Sequence, residues 1–252
     1  MTRFRAAGIH LLLSAIIIIS LLALMFGVWY PNQYFKLMGG DGLVYLIAGI
    51  DICLGPLLTL AVFKPGKKHL KFDLIVIALL QIAALAYGGN TMLNARPVFT
   101  AYAKGYFSVA TALEVTDTEL GRATKPEWRT RSLTGPVLVA AKPVTDNRDP
   151  ESMQLLTALG MGYARFPRFF VAYESQQSEI LKAASPLSLL RTLDINNNTA
   201  IDKFLKKQAR PEQDFVFVSI ASAFAEKAAI LDAKTAAWVT IIDATPTPPV
   251  KQ

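Results

Sequence analysis

A single carboxylate within an apolar stretch is the first residue of this sequence that could do chemistry. Asp51 lies in the run Leu43–Phe63, which is otherwise almost entirely apolar. An ionised carboxylate at the centre of a bilayer costs at least about 2.5 kcal/mol, so such a residue is by default a candidate for function. It could bond to another helix of the same chain, or meet a polar or cationic group on a partner helix.

Two other polar side chains are expected at a similar depth. With a rise of about 1.5 Å per residue, Ser20 lies about 18 Å into the first apolar run and Gln81 about 12 Å into the third. Asp51 lies about 18 Å from the end of the second run on the same measure. Two interpretations stay open: an internal cluster in which Asp51 bonds to Ser20 or Gln81, or a contact between Asp51 and another transmembrane helix.

The residues around Asp51 favour close approach of a second helix. Gly55 and Pro56 follow one turn later, where Pro56 bends the helix and Gly55 permits backbone contact. Gly49 lies on a narrow face of small residues, which suits helix docking. The residues predicted to bind a partner are therefore Ser20, Gly49, Asp51, Gly55, Pro56 and Gln81.

The second half of the chain offers little for catalysis. No histidine follows His69, and the one cysteine is Cys53. Residues beyond 90 therefore cannot supply a His-based triad, a cysteine nucleophile, a disulfide or an ordinary zinc site. Asp146 and Asp149 could form an acidic pair, but the sequence DNRDP is typical of a turn. The sequence predicts no enzyme activity, no cofactor and no metal.

Four basic residues near the C-terminus recur at helical spacing. Lys203, Lys206, Lys207 and Arg210 fall at positions i, i+3, i+4 and i+7, which is one face of a helix. This face is either simply solvated or a docking stripe for an acidic partner or lipid headgroups. The net charge of +7 does not indicate nucleic-acid binding, because much of the excess lies in short loops beside the apolar runs.

Three apolar stretches are long enough to cross a membrane, which takes about 20 residues. They are about Gly8–Trp29, Leu43–Phe63 and Asp73–Gly89. The first exceeds the apolar core of a signal peptide and is not followed by a small-residue cleavage site, so we interpret it as a retained anchor. Aromatic residues at the outer ends of the first two spans are expected at the membrane interface. These are Trp29, Tyr30, Tyr34 and Tyr45.

The basic residues in the short loops predict the orientation. The loop between the first two spans carries only Lys36. The N-terminus and the loop between the second and third spans carry Arg3, Arg5, Lys64, Lys67, Lys68 and Lys71. Because cytoplasmic loops are enriched in Lys and Arg, these two segments are predicted to be cytoplasmic. The protein is then expected in a bacterial inner membrane, with the residues from about 91 onward in the periplasm.

The predicted fold is a membrane protein with three N-terminal transmembrane helices and a small α+β extracytoplasmic domain. The predicted bounds are 1–92 for the membrane domain, 93–244 for the periplasmic domain and 245–252 for a flexible tail.

The periplasmic part is expected to begin with a β-hairpin over residues 95–115 that turns at Lys104-Gly105. Further expected elements are a strand at 136–142, a capped helix at 149–160, helices in SEILKAA, PLSLLRTL and 197–211, and strands in DFVFVSIASAF, AEKAAIL and AAWVTIID.

Over residues 1–98 the sequence resembles the TfpX/TfpZ family of type IV pilin accessory proteins. The resemblance rests on the order and spacing of HLLLS, FGVWYP, AGIDICLGPLLTLAVF, KFDLIVIALLQIAALAYG and ARPV. The terminal LDAKTAAWVTIID is similar to the hairpin with which members of that family end. They commonly carry glycine where this chain has Ala236.

The resemblance implies an inner-membrane, chaperone-like accessory protein that supports pilin stability and pilus assembly without catalysis. The implied partner is a type IV pilin, through both its membrane helix and its periplasmic head, with the lipid bilayer as the other contact. No oligomeric state is indicated. The alternative is a membrane enzyme that modifies pilin or lipid-linked sugars, which would need an acidic or histidine constellation near an interface. The sequence offers isolated carboxylates instead.

Overall fold

The computed structural model describes residues 2–142 and 162–247, with side chains at all of these except 43, 46–48, 50 and 51. The chain divides into a helical unit, Met1–Trp29 with Gly40–Asn94, and a C-terminal unit, Tyr30–Gly39 with Ala95–Gln252. The helix expected over 149–160, the acidic pair Asp146 and Asp149, and residues 248–252 of the expected tail lie outside the described residues.

Six α-helices occur within residues 2–142. In chain order they are α1 (Arg3–Leu24), α2 (Tyr34–Leu37), α3 (Asp41–Ala48), α4 (Gly55–Val62), α5 (Leu70–Ala95) and α6 (Asp117–Gly121). A π-helical segment, Met25–Trp29, continues α1, and a second one, Gly49–Leu54, joins α3 to α4.

Two helices are long and apolar enough to cross a membrane, Arg3–Trp29 and Leu70–Ala95. Most of their large apolar side chains are exposed in the isolated chain, as expected for helices with lipid around them. The predicted second span corresponds to α3, the π-helical segment and α4, in which the apolar helix Ile52–Val62 is shorter than a crossing needs. The third crossing therefore stays a prediction.

The C-terminal unit has an α+β fold, as predicted. Its described strands are β1 (Pro97–Ala103), β2 (Tyr106–Thr111), β3 (Val137–Ala141), β4 (Phe170–Val171), β5 (Ser185–Pro186), β6 (Phe215–Ala221), β7 (Glu226–Asp232) and β8 (Trp238–Ile242). They form one sheet in the order β4-β3-β1-β2-β6-β7-β8, with β5 beside β6. The pairs β1–β3 and β2–β6 are parallel, and the other neighbouring pairs are antiparallel.

The predicted hairpin at residues 95–115 is confirmed. β1 and β2 pair antiparallel and are separated by Lys104 and Gly105, whose φ angles are 52° and 88°. A two-residue hairpin turn that matches the twist of its strands requires positive φ at both central positions. Glycine adopts this conformation freely, which explains why the chain turns here.

The three α-helices described after residue 162 confirm the predictions from SEILKAA, PLSLLRTL and residues 197–211. They are α7 (Gln177–Ala183), α8 (Leu187–Leu193) and α9 (Asn197–Gln208). α9 ends at Gln208 and not at Pro211 as the sequence predicted, and Ala209 directly after it adopts a left-handed conformation with φ of 52°. A left-handed residue directly after a helix satisfies one of its last carbonyl groups.

Two apolar clusters hold the sheet and helices together. In the first, Phe170 packs edge-on against Phe99 and Trp128, with ring centroids 5.0 Å and 5.9 Å apart. In the second, Phe204 of α9 packs against Phe215 of β6 at 4.9 Å. Such edge-to-face pairs add about 1 kcal/mol to the burial of the rings.

A buried asparagine joins α9 to the C-terminal end of the described chain. Asn197 donates its side-chain N–H groups to the carbonyl oxygens of Leu190 and Thr245, at 2.8 Å and 3.0 Å. Its Oδ1 accepts from the backbone N–H of Thr245 at 2.8 Å. Because these bonds satisfy a polar group that is 1% exposed, they fix the chain after β8 against the second cluster.

The segment Tyr30–Gly39 is part of the C-terminal fold. Tyr34 and Thr100 of β1 share a hydrogen bond of 2.7 Å between their hydroxyl oxygens, and Ser222 donates to the Leu37 carbonyl at 2.6 Å. Tyr30 and Tyr34 are buried, and this burial raises the pKa of both phenols well above the usual range. The expectation that these two rings lie at the membrane interface is therefore wrong: they are core residues of the C-terminal unit.

Candidate functional site

One histidine joins three helices of the helical unit. His10 of α1 lies with Nδ1 2.6 Å from the hydroxyl of Thr59 on α4, and with Nε2 2.6 Å from Oε1 of Gln81 on α5. A neutral imidazole has one donor and one acceptor nitrogen. Because an amide oxygen only accepts, Nε2–H donates to Gln81 and the Thr59 hydroxyl donates to Nδ1. This connecting role of His10 was not predicted from the sequence.

These bonds bring the basic segments to one end of the helical unit. His10 lies near the start of α1, Thr59 near the end of α4, and Gln81 in the first half of α5. The start of α1 and the loop from α4 to α5 are therefore at the same end. The exposed basic residues there are Arg3, Arg5, Lys64, Lys67, Lys68 and Lys71.

Two of the predicted partner-binding residues, Gly55 of α4 and Gln81 of α5, lie against each other. Gly55 and Pro56 are buried, and a Cβ atom added to Gly55 would overlap the side-chain amide of Gln81. A larger residue at position 55 would therefore displace the Gln81 amide from its present place beside α4. A further role of Gly55, Pro56 and Gln81 in binding a partner stays a prediction.

Two other predicted residues face outward. The exposed Ser20 donates its hydroxyl to the Ile16 carbonyl of its own helix at 2.8 Å. Gly49 is exposed, and nothing lies within 4 Å of a Cβ atom built on it. Cys53 and Leu57 are also exposed, at spacings of four and eight residues from Gly49. We call Gly49, Cys53 and Leu57 the outward face of the second helical run.

Asp51 lies in the π-helical segment Gly49–Leu54, between Gly49 and Cys53 of the outward face. Its side chain lies outside the described residues. A π-helical turn carries an extra residue and is enriched at functional sites, because it redirects the side chains that follow it. The backbone at Asp51 is thus of a kind that accompanies specific contacts.

The basic stripe predicted near the C-terminus is only partly available for binding. Arg210 donates to Asp214 at 3.1 Å and to Asp232 at 2.9 Å, and these hydrogen bonds, the one to Asp232 first, raise the pKa of its guanidinium. Lys203, Lys206 and Lys207 remain exposed on α9. Lys203 and Lys207 line a cavity of about 340 Å³ in the C-terminal unit.

Within residues 2–142 and 162–247 no group of three or more His, Cys, Asp or Glu residues could hold a metal ion.

Comparison with known proteins gives a consistent result. The family model described as fimbrial assembly protein FimB matches residues 1–39. Two fimbrial assembly proteins of Dichelobacter nodosus, of serogroups E1 and I, are 32% and 34% identical to this chain over 212 residues, which is 83% of this chain and 77% of each relative. That of serogroups C1 and C2 is 44% identical over 96 residues, 37% of this chain and 73% of the relative. No solved structure matches the chain.

Proposed function

Because the chain belongs to the fimbrial assembly protein family, we propose that it is a membrane-bound accessory protein that supports pilin before and during pilus assembly. The observation that carries the proposal is the identity over 212 residues, which spans both units. The resemblance of residues 1–98 to the TfpX/TfpZ family makes the proposal more specific. The client protein is then a type IV pilin, and this protein acts on it as a chaperone does.

The C-terminal unit is built from two separate segments of the chain, and this supports three membrane crossings. Tyr30–Gly39 and the chain after Ala95 share one core, so they lie on the same side of a membrane. α5 has 26 residues, enough for one crossing. Since the chain leaves this side after Gly39 and is back there at Ala95, the number of crossings in between must be even. We assign the other of these two crossings to the continuous helical run of residues 41–62, which precedes α5 in the chain.

The charge distribution supports the orientation. The two segments that carry six basic residues lie at one end of the helical unit, whereas Tyr30–Gly39 carries Lys36 alone. An excess of Lys and Arg marks the cytoplasmic side. We therefore propose that the C-terminal unit is periplasmic and that the membrane is the bacterial inner membrane, which is where a pilin subunit with its single apolar helix would be met.

The outward face of the second helical run is the proposed contact for the pilin helix. Helices in lipid associate through small residues that allow close approach, and through polar groups that bond across the contact. Gly49 and Cys53 supply the small surface. Asp51 lies two residues from each of them, and residues two apart on a helix do not share a face, so its contact with the client is a separate proposal. Gly55 and Gln81 are proposed to act indirectly, because the Gln81 amide of α5 lies directly against Gly55.

Copurification of pilin with the tagged full-length protein tests the function, and site-specific crosslinking tests the face. A photoreactive amino acid at position 49 or 53 should give adducts with pilin. The same substitution at Leu80, which is 63% exposed on α5, is the matched control and should give none. Equal adducts from all three positions would contradict the proposed face. Absence of pilin from the purified protein would contradict the function.

Asp51 is tested by two substitutions. A carboxylate that contacts the client predicts that Asp51→Asn and Asp51→Leu leave the level of the protein normal but reduce pilin crosslinking and surface pili. A purely internal role predicts that Asp51→Asn is tolerated, whereas Asp51→Leu lowers the level of the protein itself. A change in the mass of pilin that depends on this protein would instead favour the alternative of a pilin-modifying enzyme.

A further inference from the structure

A basic groove in the C-terminal unit has no role in the function described above. It has a volume of about 340 Å³, within the size range of small-ligand sites. Its walls come from three parts of the chain that are far apart in sequence: the segment Tyr30–Gly39, α9 and β8. We propose that this groove binds the headgroup of an anionic phospholipid.

Three lysines converge on the groove from two of these parts. Lys36 comes from α2, and Lys203 and Lys207 come from successive turns of α9. No hydrogen bond or ion pair of Lys203 or Lys207 is found with the residues that the structure describes. Their ammonium groups are therefore available to a phosphate diester, for which lysine acts as a point charge.

One carboxylate also lines the groove, and its charge is already balanced. Asp243 forms ion pairs with Lys227 and, at 3.4 Å, with Lys36. The hydrogen bond from Lys227, and then the charges of both lysines, lower the pKa of the Asp243 carboxyl. The charges of Lys227 and Asp243 cancel each other. The positive charges of Lys36, Lys203 and Lys207 then remain, and this excess favours an anion.

The remaining lining suits a polar headgroup with an apolar neighbour. Asn32, Gln33 and Gln208 supply amide groups that can donate to phosphate or hydroxyl oxygens. Phe204 and Val239 supply apolar surface beside them. A mixture of this kind, in which a few polar groups set the orientation over an apolar wall, is typical of ligand sites.

The position of the groove in the chain favours a lipid over an acidic peptide. Asn32 and Gln33 follow the end of the first apolar helix, Trp29, by only three and four residues. A wall of the groove is thus tethered within a few residues of the proposed membrane surface, where headgroup phosphates are concentrated. This choice of ligand rests on the membrane placement proposed above, whereas the groove itself does not.

The experiment uses the full-length protein in a neutral detergent, with bound lipid measured by native mass spectrometry. Dioctanoyl phosphatidylglycerol is titrated against dioctanoyl phosphatidylcholine, with inorganic phosphate and hexaglutamate as competitors. We expect the anionic lipid to bind in preference and its binding to weaken as salt is raised. Because these probes are soluble, a failure here is distinct from a failure of the membrane placement, which fusion proteins test separately.

α9 itself provides the matched control. Lys203→Gln and Lys207→Gln should each weaken binding of the anionic lipid about fivefold. Lys206→Gln on the same helix should leave it unchanged, because Lys206 does not line the groove. Equal losses from all three variants, equal binding of the two lipids, or displacement by hexaglutamate or inorganic phosphate at the concentration of the lipid would overturn the proposal.

Discussion

The hydroxyl oxygens of Tyr34 and Thr100 lie 2.7 Å apart in the interior of the C-terminal unit, although the whole segment from α3 to α5 separates the two residues in the chain. Their bond anchors the segment Tyr30–Gly39 to β1. Both groups are buried, so the loss of either would leave the other without its partner. This relationship carries the structural argument for an even number of crossings between residues 40 and 95.

Tyr34→Phe should lower the free energy of unfolding by about 1–3 kcal/mol, because the Thr100 hydroxyl loses its buried partner. Tyr45→Phe is the matched control, since the Tyr45 side chain is 77% exposed. Thermal unfolding of the detergent-solubilised protein measures both. An unchanged midpoint for Tyr34→Phe would mean that the bond contributes nothing.

The orientation is tested by enzyme fusions. A periplasm-dependent phosphatase joined after residue 95 should be active, and one joined at Gly66 should be inactive, because the six-to-one distribution of basic residues predicts opposite sides for these positions. Activity of the fusion at Gly66 without activity of the fusion after residue 95 would contradict the proposed topology. Equal activity at both positions would rule out a crossing by α5.

His10→Ala should weaken the packing of the helical unit. It removes hydrogen bonds to both Thr59 and Gln81, and each such bond within a membrane is worth about 0.6 kcal/mol on average. Ser20→Ala is the control, since Ser20 bonds only within its own helix among the contacts described. The level of full-length protein in membranes should fall for His10→Ala alone; equal levels for both variants would contradict the connecting role.

Ala236→Gly should stabilise the C-terminal unit. Ala236 is buried in a left-handed conformation with φ of 56°, which costs an L-residue about 1–2 kcal/mol. The greater freedom of glycine in the unfolded chain offsets part of the gain, so a net increase of about 0.5–1 kcal/mol is expected. Ala233 in the same turn does not have a positive φ, so Ala233→Gly relieves no strain. This control substitution should lower the stability of the C-terminal unit. Chemical unfolding distinguishes the two.

Stability should fall in acid through Asp232. The Arg210 guanidinium, followed by backbone N–H groups of the turn, lowers the pKa of the Asp232 carboxyl. A folded-state pKa below the unfolded value of about 3.9 means that the stabilisation is present above that pH and is lost as the pH falls below it. Asp232→Asn should therefore flatten the pH dependence of unfolding below about pH 4. An identical profile for the variant would contradict this assignment.

Local signals predicted most of the C-terminal fold. The Lys104-Gly105 turn and the helical spacing in residues 197–208 each contain within a few residues the information that determines their conformation. Ala236 is the converse case: the glycine expected from the resemblance corresponds to a left-handed position, which became visible only in the structure. β4 and β5 have two residues each, too few for any periodic pattern.

Contacts between distant segments could not be predicted. Tyr30 and Tyr34 follow an apolar helix, and an aromatic ring in that position has the same sequence signature whether it meets lipid headgroups or a protein core. Depth estimates along straight helices placed Gln81 with Ser20, whereas the structure pairs Gln81 with His10. Such estimates ignore tilt and the direction of the side chain, which decide the partner.

In the proposed topology, folding of the C-terminal unit depends on correct membrane insertion, because the segment Tyr30–Gly39 is part of that unit. In the proposed topology this segment reaches the periplasm before β1 is made, and it can pair with β1 only if the chain between them makes an even number of crossings. A chain in which only one of the two proposed crossings between Gly39 and Ala95 formed would hold Tyr34 and Thr100 on opposite faces of the membrane. Its incomplete core would expose apolar surface to proteases, so that only correctly threaded copies would persist.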